Sequence, residues 1–184
     1  MFLRIVPVGA SLSEVLEVVK KEIEFYLNIK VRIAGKVDMP KEAFNQWRKQ
    51  YNAEIVMDEL STSPEAKFID KNIPTLMITN HDLYYAGLNF VFGLEDPSKS
   101  SAIVSIARLR PEFYDEQPNI KLLKERTVKE VIHEMGHYLG LEHCHNPSCV
   151  MSFSPSVADV DLKKKLFCDN CRIRLMAKGI SVRG

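Results

Sequence analysis

The chain has 184 residues, of which 46% are apolar and 27% charged, and its net charge is +1. That is the balance of a soluble globular protein, long enough for one ordinary domain or for two small subdomains sharing a cleft. A charge so close to zero supplies no overall field toward nucleic acid or an acidic membrane, so neither is expected as a partner.

Met1-Phe-Leu-Arg-Ile-Val leads straight into a strand-like run, Leu3 to Pro7, without the basic stretch or cleavage site of a signal peptide. No apolar stretch approaches the ~20 residues that span a bilayer, so a cytoplasmic protein is expected. Ser11-Leu-Ser-Glu14 has the form of a capping box. Leu12, Val15, Leu16, Val19 and Ile23 follow at helical spacing and predict an amphipathic helix over 12–27. Ile29 to Val37 alternates and is rich in β-branched residues, the pattern of a second strand. Pro40 opens an expected short helix through Trp47, Ala53 to Met57 reads as a strand, and Ile73 to Thr79 as a buried strand. Leu88 to Leu94 reads as another, either the edge above a cleft, where a peptide can pair with it, or an internal core strand. Ala102 to Leu109 is a further strand stopped by Pro111. A long helix is predicted from about Asn119 toward Leu139, with Val128, Val131, Ile132, Met135 and Leu139 on the face that packs against a sheet. Beyond Gly140 come all four cysteines, a turn at Ser152 to Ser156 and two expected short basic helices. The basic residues Lys163 to Lys165, Arg172, Arg174, Lys178 and Arg183 have no interleaved aromatics and read as a solvated face.

The chemistry sits in His133-Glu-Met-Gly-His137-Tyr-Leu-Gly140-Leu-Glu-His143. Four residues of helix rotate about 400°, so His133 and His137 project from one side, a turn apart, and both can reach one zinc ion. Gly140 allows the sharp, left-handed exit from the helix that returns His143 to the same ion. Three protein ligands leave one position open, the mark of a catalytic rather than a structural zinc. Glu134 adjoins the first ligand and is placed to act as general base toward a zinc-activated water. Cys144 and Cys149 are spaced C-x4-C, and Cys168 and Cys171 C-x2-C. Without an export signal these pairs read as metal ligands, and four thiolates close a structural zinc site. The expected total is two Zn2+ per chain. The side chains of the neighbours His143 and Cys144 point different ways, so the two metals are expected well beyond the about 3.5–4 Å of a co-catalytic pair. His145, inside the C-x4-C loop, is read as surface with replacement of a cysteine ligand as the alternative, and His81 is also read as surface.

The extended zinc motif resembles that of the metzincins. Its continuation, Cys144-x4-Cys149-x-Met151 followed by Cys168-x2-Cys171, is similar to the archaemetzincin family, a likeness covering residues 133–171. The run from Asp82 to Gly93 resembles the family's segment ahead of its active-site helix. The resemblance implies an α/β (α+β) fold. Residues 1–140 would form a catalytic subdomain with a twisted mixed sheet, a backing helix and an active-site helix. Residues 141–184 would form a small zinc-stapled subdomain below the cleft. It also implies that Met151 is the Met-turn residue, a hydrophobic floor beneath the imidazoles. Ser152 and Phe153 follow it, so no tyrosine ligand is assigned, and Phe153, Ser154 and Pro155 are expected to border the pocket beyond the scissile bond. The expected function is a zinc-dependent metallopeptidase acting on a peptide or protein substrate as a monomer. The rival reading is a non-catalytic peptide- or protein-binding module on a metzincin scaffold stabilised by zinc. A nucleic-acid module built on the cysteines would leave the three histidines unexplained.

Overall fold

A computed structural model describes residues 2–62 and 73–183. The β-branched run at the start becomes β1 (Phe2–Val8), which lies inside a five-stranded sheet with β2 (Lys30–Ile33), β5 (Thr75–Thr79), β7 (Gly93–Asp96) and β8 (Ser101–Ser105), in the order β2-β1-β5-β8-β7. Four strands are parallel, and β7 closes one edge antiparallel to β8. Every residue of β5 and β8 is buried, as expected of strands covered on both faces. Their side chains divide by the period of two: Leu76, Ile78, Ala102 and Val104 join one core cluster with α1 (Ser13–Leu27) and α3 (Ile120–Tyr138). Val6, Val8, Met77 and Ile103 join another with α2 (Ala53–Thr62). A small second sheet pairs β3 (Phe44–Asn45), β4 (Gln50–Asn52) and β6 (Leu83–Tyr84).

The predicted helix over 12–27 is α1, with the anticipated apolar stripe buried. Its capping box does not form. Leu12 is the N-cap, makes no side-chain cap bond and is itself buried, so core packing of Leu12 sets the entry of the chain. The expected helix from Pro40 to Trp47 is a single tight turn, Lys41–Ala43, running into β3. The expected strand from Ala53 to Met57 is instead the first half of α2. Asn52 accepts hydrogen bonds from the Glu54 and Ile55 amides, and Val56, Met57 and Leu60 are buried at helical spacing. Only Lys30–Ile33 of the run from Ile29 is a strand, with Val37 rejoining β1 through one bridge to Val8. The run Leu88 to Leu94 contributes only its last two residues to β7, which is indeed the sheet edge. Beyond β8, Ala107–Leu109 is a turn and not strand.

The predicted long helix is α3, capped by Asn119, which accepts from the Leu122 amide. From Arg126 to Gly136 every residue is buried. Its polar side is covered by the segment beyond Gly140, whose Val150, Met151, Val160, Phe167, Cys171 and Leu175 enter the same core. Two short helices, α4 (Val157–Leu162) and α5 (Asp169–Ala177), lie in that segment. The first holds Asp159 and Asp161 and no basic residue, so it is acidic where a basic helix was expected. Among the described residues no helix is long and apolar enough to cross a membrane.

Candidate metal centre

On α3, His133 and His137 stand one turn apart with ring centroids 4.6 Å apart. Each is oriented by a backbone carbonyl: His133 Nδ1 lies 2.8 Å from the Val150 oxygen, and His137 Nδ1 2.9 Å from that of Leu141. A carbonyl only accepts, so Nδ1 carries the proton on both rings and Nε2 keeps its lone pair. The two Nε2 atoms then face each other at 3.0 Å with no proton between them, an arrangement that favours a shared cation. The third ring is delivered by the end of the helix. Gly140 has φ +80°, its amide donates to His137, and the Leu141 amide donates to Gly136, the paired bonds of a Schellman terminator. His143 consequently lies with its centroid 4.8 Å from that of His137 and 5.3 Å from that of His133. One ring nitrogen from each of the three falls within 4.8 Å of the others. Burial lowers the pKa of all three imidazoles, that of His133 most, and so keeps them neutral and able to ligate.

Glu134 is 5% exposed and lies against the backbone of β7. A Cβ added to Gly93 would stand 2.7 Å from both Glu134 Cγ and Cδ, so the absence of a side chain at Gly93 makes room for the carboxylate. Burial, then the nearby Glu130, pushes the Glu134 carboxyl well above the usual range, and Lys163 opposes them. Gly136 does for Met151 what Gly93 does for Glu134. A Cβ there would overlap the Met151 sulfur and come within 3.0 Å of the Phe167 ring. Met151 is fully buried against the helix turn that separates His133 from His137.

The four cysteines form a second cluster, with Cys144 and Cys168 sulfurs 3.7 Å apart and Cys149 and Cys171 sulfurs 3.8 Å apart. A disulfide requires about 2.05 Å, whereas a tetrahedron with metal–sulfur bonds of about 2.3 Å has edges of about 3.8 Å. The donors therefore fit a zinc ion. Burial and the neighbouring Cys149 raise the Cys171 thiol, an opposition that metal coordination relieves. His145 is exposed and outside this cluster, as its plain reading anticipated, whereas His81, also read as surface, is partly buried and packs edge-on against Tyr51.

Glu130 and Glu95 at the site were not singled out from sequence, and Lys163, read with Lys164 and Lys165 as part of a solvated face, is instead buried because it neutralises a buried carboxylate. Glu130, one turn before Glu134, is paired with the fully buried Lys163 at 2.8 Å, and Lys163 also reaches the Ser152 carbonyl at 3.4 Å. Glu95 enters from β7. A cavity of about 480 Å³ opens between β7 and α3, walled by Glu95, Glu130 and His133 and, from beyond Met151, by Phe153, Ser154 and Pro155. The i, i+4 spacing of Glu130 and Glu134 was visible; its pairing across 33 positions with Lys163 was not.

A helix bearing two histidines and a buried glutamate, crossed by an edge strand and followed by a third histidine, is the framework of a zinc-dependent metallopeptidase. Known proteins agree: the profile of peptidase family M54 matches residues 7–177. The archaemetzincin of Pyrococcus furiosus is 43% identical over 176 residues, covering 93% of this chain and 90% of that protein. That of Methanocaldococcus jannaschii is 42% identical, covering 96% and 93%. Among solved structures, a zinc-dependent peptidase from Methanocorpusculum labreanum superposes with TM-score 0.84 at 32% identity, covering 94% of this chain and 99% of that one. Archaemetzincin from Methanopyrus kandleri gives 0.81 at 35% identity, covering 96% and 94%. The chain belongs to peptidase family M54, the archaemetzincins, and is a zinc metallopeptidase.

Proposed function

We propose that His133, His137 and His143 hold the catalytic zinc, that Glu134 is the general base, and that Cys144, Cys149, Cys168 and Cys171 hold a second, structural zinc. The observation that carries the first assignment is the pair of unprotonated Nε2 atoms facing each other at 3.0 Å, each fixed by an Nδ1 bond to a carbonyl. When bound, zinc supplies polarisation of the scissile carbonyl and lowers the pKa of a water at its open position toward about 7. Glu134 takes a proton from the attacking water as the new C–O bond forms, then returns it to the amide nitrogen as the C–N bond breaks. The raised proton affinity that burial gives this carboxyl suits both halves of the transfer. Met151 forms the floor beneath the imidazoles, and residues 141–184 act as a lower subdomain stapled by the cysteine site.

The test compares wild type with Glu134→Ala on a peptide library, with metal content measured on both. The expected result is two zinc ions per chain in each protein and turnover reduced at least about 100-fold in the variant. Undiminished cleavage by Glu134→Ala would remove its role as base. Two zincs with no Glu134-dependent cleavage by wild type would favour the non-catalytic binding reading.

A further inference from the structure

The cavity beside Glu134 has a chemistry that peptide hydrolysis alone does not require. In the β7–β8 ladder, Gly93 pairs with Val104 and Glu95 with Ala102, both residues of the face that packs on α3. Strand alternation therefore turns Gly93 and Glu95 toward that helix while Leu94 turns to the opposite core. Gly93 covers Glu134, and Glu95 enters the cavity that Glu130, one turn earlier on α3, also lines. Among the described residues four buried side-chain polar atoms have no hydrogen-bond partner, and three belong to this cavity: Glu95 Oε1, Glu130 Oε1 and Ser154 Oγ. Glu130 is 3% exposed; Lys163 stands 2.8 Å from its Oε1 and neutralises its charge, but from a direction that makes no hydrogen bond. Lys99 donates a hydrogen bond to Asp96, and Glu95 has no ion-pair partner among the described residues. With Glu130 offset by Lys163, the cavity keeps two carboxylates without an ion-pair partner, Glu95 and the base Glu134, and three oxygens without a hydrogen-bond donor.

Building on the peptidase reading, we infer that this cavity is a specificity subsite for a cationic side chain, arginine before lysine, on the residue that follows the scissile bond. The side of the bond follows from proton transfer. Glu134 serves the leaving amine, and Glu130 adds a cavity-lining carboxylate one turn earlier on α3, on the opposite side of Glu134 from His137 along the helix. The residue that carries the new amino terminus lies on that side. A guanidinium brings five donors and no acceptor, enough for all three orphan oxygens, and its charge offsets Glu95. Phe153 and Pro155 at the wall can cover the aliphatic stem. An apolar side chain would fill the space and leave the same oxygens dry and unpaired, which is the costly outcome for buried polar groups. Burial and the adjacent Asp96 already raise the Glu95 carboxyl, a strain that a bound cation relieves.

The zinc-loaded enzyme is given a proteome-derived peptide library, and cut sites are read by mass spectrometry. Two synthetic peptides differing only in arginine or norleucine after the cut are then compared for wild type and Glu95→Gln. Arginine and lysine are expected to be enriched immediately after the cut, and Glu95→Gln is expected to lower the arginine-to-norleucine ratio of kcat/KM at least about tenfold. Glu134-dependent cleavage with no basic enrichment there, or with both peptides slowed equally by Glu95→Gln, would overturn the subsite while leaving the peptidase intact. Absence of any Glu134-dependent cleavage would instead overturn the reading on which the subsite rests.

Discussion

Gly93→Ala tests whether Glu134 must lie where it does. Gly93 does not have a positive φ, so alanine meets no backbone objection, and the substitution acts through one methyl group. That methyl would lie 2.7 Å from Glu134 Cγ and Cδ, where carbon–carbon contact prefers about 3.5–4.0 Å. Something must yield by about 1 Å. Antiparallel pairing to β8 holds Gly93 in its register, whereas the glutamate can swing about its torsions, so the carboxylate moves. A displacement of about 1 Å in a catalytic group is worth about 100-fold in rate. The expected result is kcat/KM reduced about 100-fold with two zincs retained and Tm changed by only a few degrees. The assay is continuous cleavage of a quenched peptide beside metal analysis and thermal melts. A Gly93→Ala enzyme with full activity and full zinc would refute the reasoning, because it would show that the buried pose of Glu134 is irrelevant to turnover.

Three further predictions concern the surroundings. Cys168→Ser should reduce zinc from two to one per chain and lower Tm by about 10 °C, the equivalent of ~3–4 kcal/mol for a chain this long, read by metal analysis and calorimetry. Lys163→Met leaves the 3%-exposed Glu130 without its cation and should cost about 3–5 kcal/mol in denaturant unfolding, whereas Glu130→Met with Lys163→Met together should recover most of the loss. The third is a pH dependence at Glu95, which shares its cavity with Glu130 and Glu134 and adjoins the paired Asp96. Its folded-state pKa is raised, first by burial and then by Asp96, so between its ordinary value and the raised one the folded state binds more proton than the unfolded state. Stability therefore falls as pH rises through that window. Glu95→Gln should melt above wild type at neutral pH and lose this advantage below about pH 4.5, and the preference for arginine peptides should fade as acid protonates Glu95; melts and cleavage ratios across pH check both.

What could be read from sequence was what depends on local geometry. His133 and His137 meet because four residues of helix return nearly to the same direction, and Gly140 ends that helix as a left-handed residue must. The cysteine pairs are legible for the same reason, since each spacing returns two sulfurs to one point. The errors fall where a short apolar run admits two explanations. Glu54-Ile-Val-Met57 is too brief to show its period, and the decisive signal, Asn52 capping two amides, was passed over. The apolar run at Phe90 to Phe92 reflects burial beside the cavity rather than pairing in a long strand, because the ladder starts only at Gly93. Glu95 and Glu130 come from a strand and a helix distant in sequence, and no spacing in the chain announces that they share one cavity or that Lys163 pairs with Glu130.

The two proposed metal sites are linked through a single loop, and this explains why one chain would carry both. His143 and Cys144 are neighbours, as are Cys149 and Val150, so each pair has one member at the cysteine cluster and one at the histidine cluster. Val150 contributes its carbonyl, which orients His133; Met151, next in line, lies against Gly136 and returns its own carbonyl to the Cys144 amide at 2.8 Å. A tetrahedral clamp on Cys144 and Cys149 would thereby fix the carbonyl that chooses the His133 tautomer and the methionine packed against Gly136. Loss of the cysteine metal should act on catalysis through this loop, weakening affinity for the histidine metal before the sheet unfolds. In a chelator titration of wild type, the loss of activity and the release of the first zinc should precede the loss of helical signal. Simultaneous loss of both zincs and all helical signal would mean that the loop has no independent role in holding His133.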